Sequence, residues 1–150
     1  MNKKDLKELS ELLQNNNIGE KFIKKIEREL KPISVSSRKA KGRNLQYKVC
    51  EMLGEKLGIE FNQSDDNCLI HSREMGQHGT DIVLRGEAGE RFPFSIECKN
   101  QEKLNLNEAI KQAKENKGDR DWIVIHKKKG TEIFCTLPFE TLLKFFPFNS

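Results

Sequence analysis

The sequence predicts a mixed α/β domain with helices packed on a mainly central sheet, preceded by an N-terminal helical hairpin. Three observations predict it. Leucines and isoleucines recur at helical spacing through the first thirty residues, and Leu45, Val49, Leu53 and Leu57 repeat the pattern further on. Short apolar runs bounded by glycine and polar residues follow at 80–85, 92–99 and 122–126. The order after residue 42 reads αβββαββα, and 150 residues suit one such core with a small extension.

Taken in order, Leu6, Leu9, Leu12 and Leu13 mark a first helix, broken at Asn15-Asn16-Asn17. Phe22, Ile23, Ile26 and Leu30 form a second stripe that Pro32 ends. Residues 1–33 are too few to fold alone, so this hairpin is expected to pack on the remaining domain, 34–150, or on a partner subunit. Ser34 to Gly42 reads as a basic, flexible link, and the helix through Leu45 closes near Gly58. Cys68 to Ser72, Thr80 to Arg85 and Phe92 to Lys99 read as strands, the last two joined by a turn at Gly86 to Gly89. Asn105 to Asn116 is a helix with Leu106, Ala109, Ile110 and Ala113 on its buried face and Gly118 as its stop. Trp122 to His126 and Thr131 to Thr136 pair as strands around Gly130, and Leu137 to Phe146 reads as a closing helix. Trp122 and the cluster Phe139, Phe145, Phe146 and Phe148 read as core or dimer surface.

Lys and Arg number 27 against 23 Asp and Glu, a net charge of +4. Its distribution is uneven. Residues 34–50 hold five basic and no acidic groups, 51–98 hold four basic and ten acidic, and 99–150 hold ten basic and seven acidic. Basic stretches suit a phosphate backbone, and a concentration of carboxylates suits a divalent cation. No apolar run approaches the ~20 residues that span a bilayer. The start Met1-Asn2-Lys3-Lys4 lacks an apolar leader, so a cytoplasmic protein without a membrane partner is expected. Cys50, Cys68, Cys98 and Cys135 are widely spaced, without a CxxC pair, and read as reduced, mostly buried thiols.

Strand periodicity isolates three residues. Side chains alternate faces with period two, so Phe94, Ile96 and Cys98 share one face while Glu97 and Lys99 share the other. By the same rule Asp81 opposes Ile82. Paired antiparallel, the two strands bring Asp81, Glu97 and Lys99 together near one end. Attack on an anionic phosphodiester needs charge neutralisation. Two carboxylates can hold one or two Mg²⁺ ions, which acidify a bound water and stabilise the pentavalent transition state. The backbone carbonyl of Cys98 is placed to add an oxygen ligand. Lys99 can orient or deprotonate the water, or stabilise developing charge.

Gly79-Thr80-Asp81 followed by Glu97-Cys98-Lys99 resembles the PD-(D/E)xK nuclease signature, with Thr80 where the proline stands. The resemblance covers roughly residues 38–137. Within it, Lys41-Gly42-Arg43-Asn44-Leu45-Gln46 resembles the start of the first helix of Holliday-junction-resolvase-like members. The stretches Ser72 to Gly76 and Phe92 to Glu102 are similar to a small family of phage-encoded PD-(D/E)xK endonucleases. The resemblance implies a restriction-endonuclease-like αβββαβ core, metal ligation by Asp81 and Glu97, and a catalytic role for Lys99. It implies Mg²⁺ as cofactor, with Mn²⁺ as a substitute, and DNA as substrate. The acidic residue that resolvase-like members carry on the first helix falls on Gln46, which favours one well-bound ion. Glu51, five residues along and about 140° round the helix, is a poor substitute. Ser72 is implied as a contact to the scissile phosphate and Gln112 as a residue facing DNA, although the tyrosine that follows it by four in related nucleases is Asn116 here.

Each of these readings has an ordinary counterpart. Arg38, Lys39, Lys41 and Arg43 are either an arm gripping phosphates or a solvated segment. Arg73, within the stretch Ser72 to Gly76, is expected to contact DNA, and His78, in a Gly-rich turn three residues before Asp81, is either a substrate contact or an ordinary loop residue. Lys127-Lys128-Lys129 reads as a solvated hairpin turn, and Gln46 serves equally as a capping or an active-site residue. The expected function is a Mg²⁺-dependent, structure-selective DNA endonuclease, homodimeric if it cuts junctions symmetrically. The rivals are a nuclease-fold DNA-binding module that has lost cleavage, and a restriction- or defence-type duplex nuclease.

Overall fold

The computed structural model describes residues 3–15, 19–32 and 34–146. The chain divides into two compact units, Met1–Arg38 and Lys39–Ser150. In the first, α1 (Lys3–Asn15) and α2 (Glu20–Leu30) pack on each other, with Ile26 buried. Asn16 and Asn17, expected to break the first helix, lie outside the described residues.

The residues expected to form a flexible link are instead the beginning of a long helix, α3 (Val35–Leu57). Local chemistry explains it. The Ser34 hydroxyl accepts the Ser37 N–H at 3.1 Å, as an N-cap does. Arg, Lys and Ala then favour helix over coil, so a high charge density was no sign of disorder. Gly42, the weakest helix former in the stretch, has a packing reason: a Cβ there would meet the Met75 methyl at 3.0 Å.

Five strands form one sheet in the order β1-β2-β3-β4-β5: β1 (Ile70–Ser72), β2 (Ile82–Leu84), β3 (Phe94–Asn100), β4 (Asp121–Lys127) and β5 (Phe134–Thr136). All neighbours are antiparallel except β3 and β4, which run parallel and are connected through α5 (Leu106–Asn116). Asn105 caps α5 by accepting the Glu108 N–H. The expected turn at Gly86 to Gly89 is a short helix, α4 (Gly86–Arg91), entered through Gly86 at φ +48° and braced by a Glu87–Arg91 ion pair. Ala88 of α4 is fully buried, and that burial favours a helical turn over a tight hairpin.

The sheet is covered on both faces. On one, Leu45, Val49 and Cys50 of α3 pack with Ile70, Ile82, Leu84, Phe94, Ile96, Cys98, Ile123 and Ile125. On the other, Ala109 and Ala113 of α5 close over Trp122 and Val124. Small alanines let the helix approach closely enough to bury Ser95 and Glu97 beneath it. The last helix, α6 (Phe139–Leu143), is shorter than expected. Phe139 and Phe146 are exposed rather than core, while Phe145 sets its ring 5.2 Å from that of Phe94. Phe148 lies outside the described residues. Among the described residues no helix is long and apolar enough to cross a membrane.

Candidate active site

The expected alternation holds in β3. Ile96 and Cys98 enter the α3-side core, and Glu97 and Lys99 face α5. Asp81 stands just before β2, and its backbone N–H donates to Ile96 O at 2.9 Å. Its Oδ2 accepts the Cys98 N–H at 2.7 Å, which ties the aspartate to the strand carrying Glu97 and Lys99. Thr80 locks the same junction. Its hydroxyl accepts the Ile96 N–H at 2.9 Å and lies within donating reach of Ile96 O and Ile82 O. A proline could do none of this, so the departure from the family pattern carries its own structural work.

Glu97 is 2% exposed, and neither carboxylate oxygen accepts a hydrogen bond. Its compensation is the Lys99 ammonium, 2.7 Å from Oε1 but without hydrogen-bond alignment. Lys99 in turn donates to Gln112 Oε1 of α5 at 2.8 Å. Asp81 feels both its burial and the Glu97 charge, which together push its carboxyl up to about 6; the Cys98 N–H, Lys99 and Arg73 offset part of this. Two carboxylates that repel each other, one with buried oxygens that accept no hydrogen bond, form a donor set suited to a hard divalent cation. The fit is for a small set. Among the described residues no group of three or more His, Cys, Asp or Glu is placed to hold a metal.

Gln46 is buried, its Oε1 accepts the Ser72 hydroxyl at 2.7 Å, and its amide faces Met75 Sδ at 3.6 Å. Ser72 pairs with Ile82, the neighbour of Asp81, so Gln46 and Ser72 stand at the same end of the sheet as the acidic pair. Arg73 turns into its own loop. Its backbone N–H donates to Asp81 O, its guanidinium donates to His78 O at 2.6 Å, and Gly79 at φ +107° leaves the space that the guanidinium fills. His78 itself is exposed. Along α3, Lys39 and Arg43 are exposed, and Lys41 O accepts the Asn100 side-chain amide at 3.0 Å, beside Lys99 in sequence. Arg38 is exposed and belongs to the first compact unit.

Two contacts escaped the sequence reading: the Gln112 bond to Lys99 and the Thr80 staple. Their residues were visible, but the partners were not, because each partner lies 13 or 16 positions away. A cleft of about 360 Å³ opens beside Lys99, lined by Gln101, Leu104, Asn105, Glu108 and Gln112. The larger cavity, about 560 Å³ between α3 and β4, is lined mainly by apolar residues such as Val49, Leu53 and Ile125 and contains neither site carboxylate.

A mixed sheet flanked by helices, with Asp81 and Glu97-Cys98-Lys99 on adjoining strands, is consistent with a restriction-endonuclease-like nuclease core. Residues 37–123 match the family model described as phage putative PDDEXK endonuclease, and the chain belongs to that family. Compared with curated proteins and with solved structures, the chain has no match.

Proposed function

We propose that this chain is a Mg²⁺-dependent DNA endonuclease that acts on branched DNA, such as a Holliday junction, and leaves a 5′-phosphate. The observation that carries the reading is the buried Glu97 carboxylate, whose oxygens accept no hydrogen bond beside a second carboxylate, Asp81. Asp81, Glu97 and the Cys98 carbonyl would hold the ion, with Mn²⁺ as a substitute. A divalent cation there supplies Lewis acidity to the phosphodiester and to the attacking water.

The chain's own groups do the rest. Lys99 carries three N–H donors and directs one to Gln112 and its charge to Glu97, which leaves a donor for the phosphate oxygen on which charge develops. Gln46 is an amide, so the site concentrates two negative charges rather than three, which supports one ion rather than two. Lys39, Lys41 and Arg43, following Arg38 on α3, supply positive charge to adjoining phosphates, and Ser72 is a further phosphate contact. Arg73 serves the site chiefly through its charge beside Asp81. Paired cuts across a junction require two such sites, hence a homodimer.

The test is cleavage of end-labelled junction, flap, duplex and single-stranded DNA with Mg²⁺. Wild type is expected to cut branched DNA preferentially, and Lys99→Ala and Asp81→Asn to cut it at least about 10²-fold more slowly. Identical behaviour of wild type and Lys99→Ala on every substrate overturns the assignment. DNA binding without cleavage by wild type would instead mark a nuclease-fold binding module, and a sequence-dependent cut in duplex would mark a restriction-type enzyme.

A further inference from the structure

The strand register carries a second site outward from Lys99. Lys99 pairs with His126 across the parallel β3–β4 ladder, and His126 pairs with Phe134 across β4–β5. Residues that are direct partners on neighbouring strands project from the same face. Lys99, His126 and Phe134 therefore form one row on the α5 side of the sheet, with Phe134 about 10 Å from Lys99 at two strand spacings. The His126 and Phe134 rings lie 6.1 Å apart and tilted by 31°, and the His126 ring nitrogen is bonded to the Thr136 hydroxyl at 3.1 Å. Phe134 nevertheless keeps 51% of its surface exposed.

This pair forms one wall of a cleft of about 310 Å³ that Lys127 and Lys128 also line. The cleft shares its lining residues Gln101 and Leu104 with the one beside Lys99, so the two adjoin. Its charge is positive. Among the described residues Lys127 and Lys128 have no ion-pair partner, and the lining carboxylate, Glu102, accepts the backbone N–H of Lys129 at 3.1 Å. The loop is fixed by Thr131, whose hydroxyl accepts the Lys128 N–H while its backbone N–H donates to Lys128 O. An open aromatic face in a cleft with unpaired lysines, in the same row across the sheet as Lys99, matches a nucleobase with its phosphates.

We infer that the cleft at Phe134 and His126 is a stacking subsite for an unpaired base of the substrate DNA, within a few nucleotides of the scissile phosphate. The inference rests on the nuclease reading and narrows its substrate to DNA with an extrahelical or single-stranded base at the branch. A base stacked and paired inside a duplex has no free face to offer Phe134.

The test places 2-aminopurine at the unpaired position of a flap, and at a paired position of a matched duplex, and titrates full-length protein in low salt with Ca²⁺ in place of Mg²⁺. Stacking is expected to quench the flap probe and leave the duplex probe unchanged. Phe134→Ala is expected to lose the quench and bind the flap about 10-fold more weakly, with duplex binding unchanged, while Phe134→Trp keeps both. Because Phe134 is half exposed, its truncation should leave the fold intact, which thermal melting checks. Equal quenching by wild type and Phe134→Ala overturns the subsite. If wild type cleaves in Mg²⁺ yet leaves the flap base unquenched, the subsite falls alone. If a Phe134-dependent quench occurs without cleavage, the nuclease reading falls alone. Absence of binding to either DNA overturns both.

Discussion

Gln112 Oε1 accepts a hydrogen bond from the Lys99 ammonium at 2.8 Å, so a residue of α5 fixes the direction of a lysine on β3. Lys99 is the reacting group of the proposed site, and Gln112 acts through it. Lys99→Ala is expected to lower cleavage by roughly 10² to 10⁴-fold. Gln112→Ala should lower kcat by about 10-fold, the value of roughly one hydrogen bond to a charged group, with KM nearly unchanged. Single-turnover cleavage and DNA-binding titrations separate the two. A rise in KM at constant kcat would show that Gln112 contacts DNA instead.

Asp81 gives the metal-free protein a definite pH dependence. Burial and the Glu97 charge raise its pKa from 3.8 to about 6, so the fold favours the protonated acid. Its contribution to stability is fully present below the unfolded value and is lost as pH rises through about 6. Asp81→Asn is expected to stabilise the metal-free protein by about 3 kcal/mol at neutral pH, since the rise from 3.8 to about 6 is roughly two units and each unit corresponds to about 1.4 kcal/mol. Mg²⁺ competes with that proton. The Mg²⁺-induced rise in Tm should be full near neutrality, fade as pH falls below about 6, and vanish in Asp81→Asn. Thermal melts across pH with and without Mg²⁺ check this, and a Mg²⁺ effect that is independent of Asp81 would refute it.

Gln46→Glu restores an acid where resolvase-like members carry one. Without metal, the new carboxylate is buried against Met75 Sδ with Ser72 as its donor, and the protein is expected to lose about 2–4 kcal/mol. Mg²⁺ or Mn²⁺ should recover most of that loss if position 46 faces the acidic pair. Urea unfolding with and without metal decides it. A loss that metal leaves untouched means that residue 46 looks elsewhere.

The four thiols should react in an order set by burial. Cys135 is exposed and is expected to react with a disulfide reagent within the mixing period of the native protein. Cys68 is partly buried, and its sulfur is engaged with Asn62 N and Glu60 O, so it should follow slowly. Burial pushes Cys50 up to about 12 and Cys98 well above the usual thiol range, so neither should react before unfolding. Thiol counting in native and denatured buffer tests this, and fast native reaction of Cys98 would contradict the buried strand register.

Much of the core could be read from periodicity. Phe94, Ile96 and Cys98 alternate with Glu97 and Lys99 because one face of β3 meets α3, and the structure keeps that alternation. The helix at 106–116 was legible from the spacing of Ala109 and Ala113 and from Gly118 beyond its end. The stretch Ser34 to Gly42 is helical rather than flexible because charge density does not oppose a helix, and Ser34 caps one that continues through those same charges. The turn at Gly86 to Gly89 misled because glycine signals a change of direction without saying whether one helical turn completes it. Strand periodicity also placed Asp81, Glu97 and Lys99 together, and the structure joins the three through the Cys98 N–H and the Lys99–Glu97 ion pair. The Thr80 staple was not legible, since nothing local to residue 80 reveals that its hydroxyl meets Ile96.

The sequence by itself determined which residue types alternate on each strand, where the apolar faces lie, and that an acidic pair and a lysine share one end of two strands. These follow from periods of 2 and 3.6, which are properties of the local backbone. Only the tertiary structure decided that Glu97 is buried without hydrogen-bond partners, that Gln112 holds Lys99, and that Lys99, His126 and Phe134 stand in one row. Those depend on the order and register of strands far apart in the chain, and on how closely α5 approaches them. Such long-range packing is a sum over many contacts, so no single stretch of sequence encodes it.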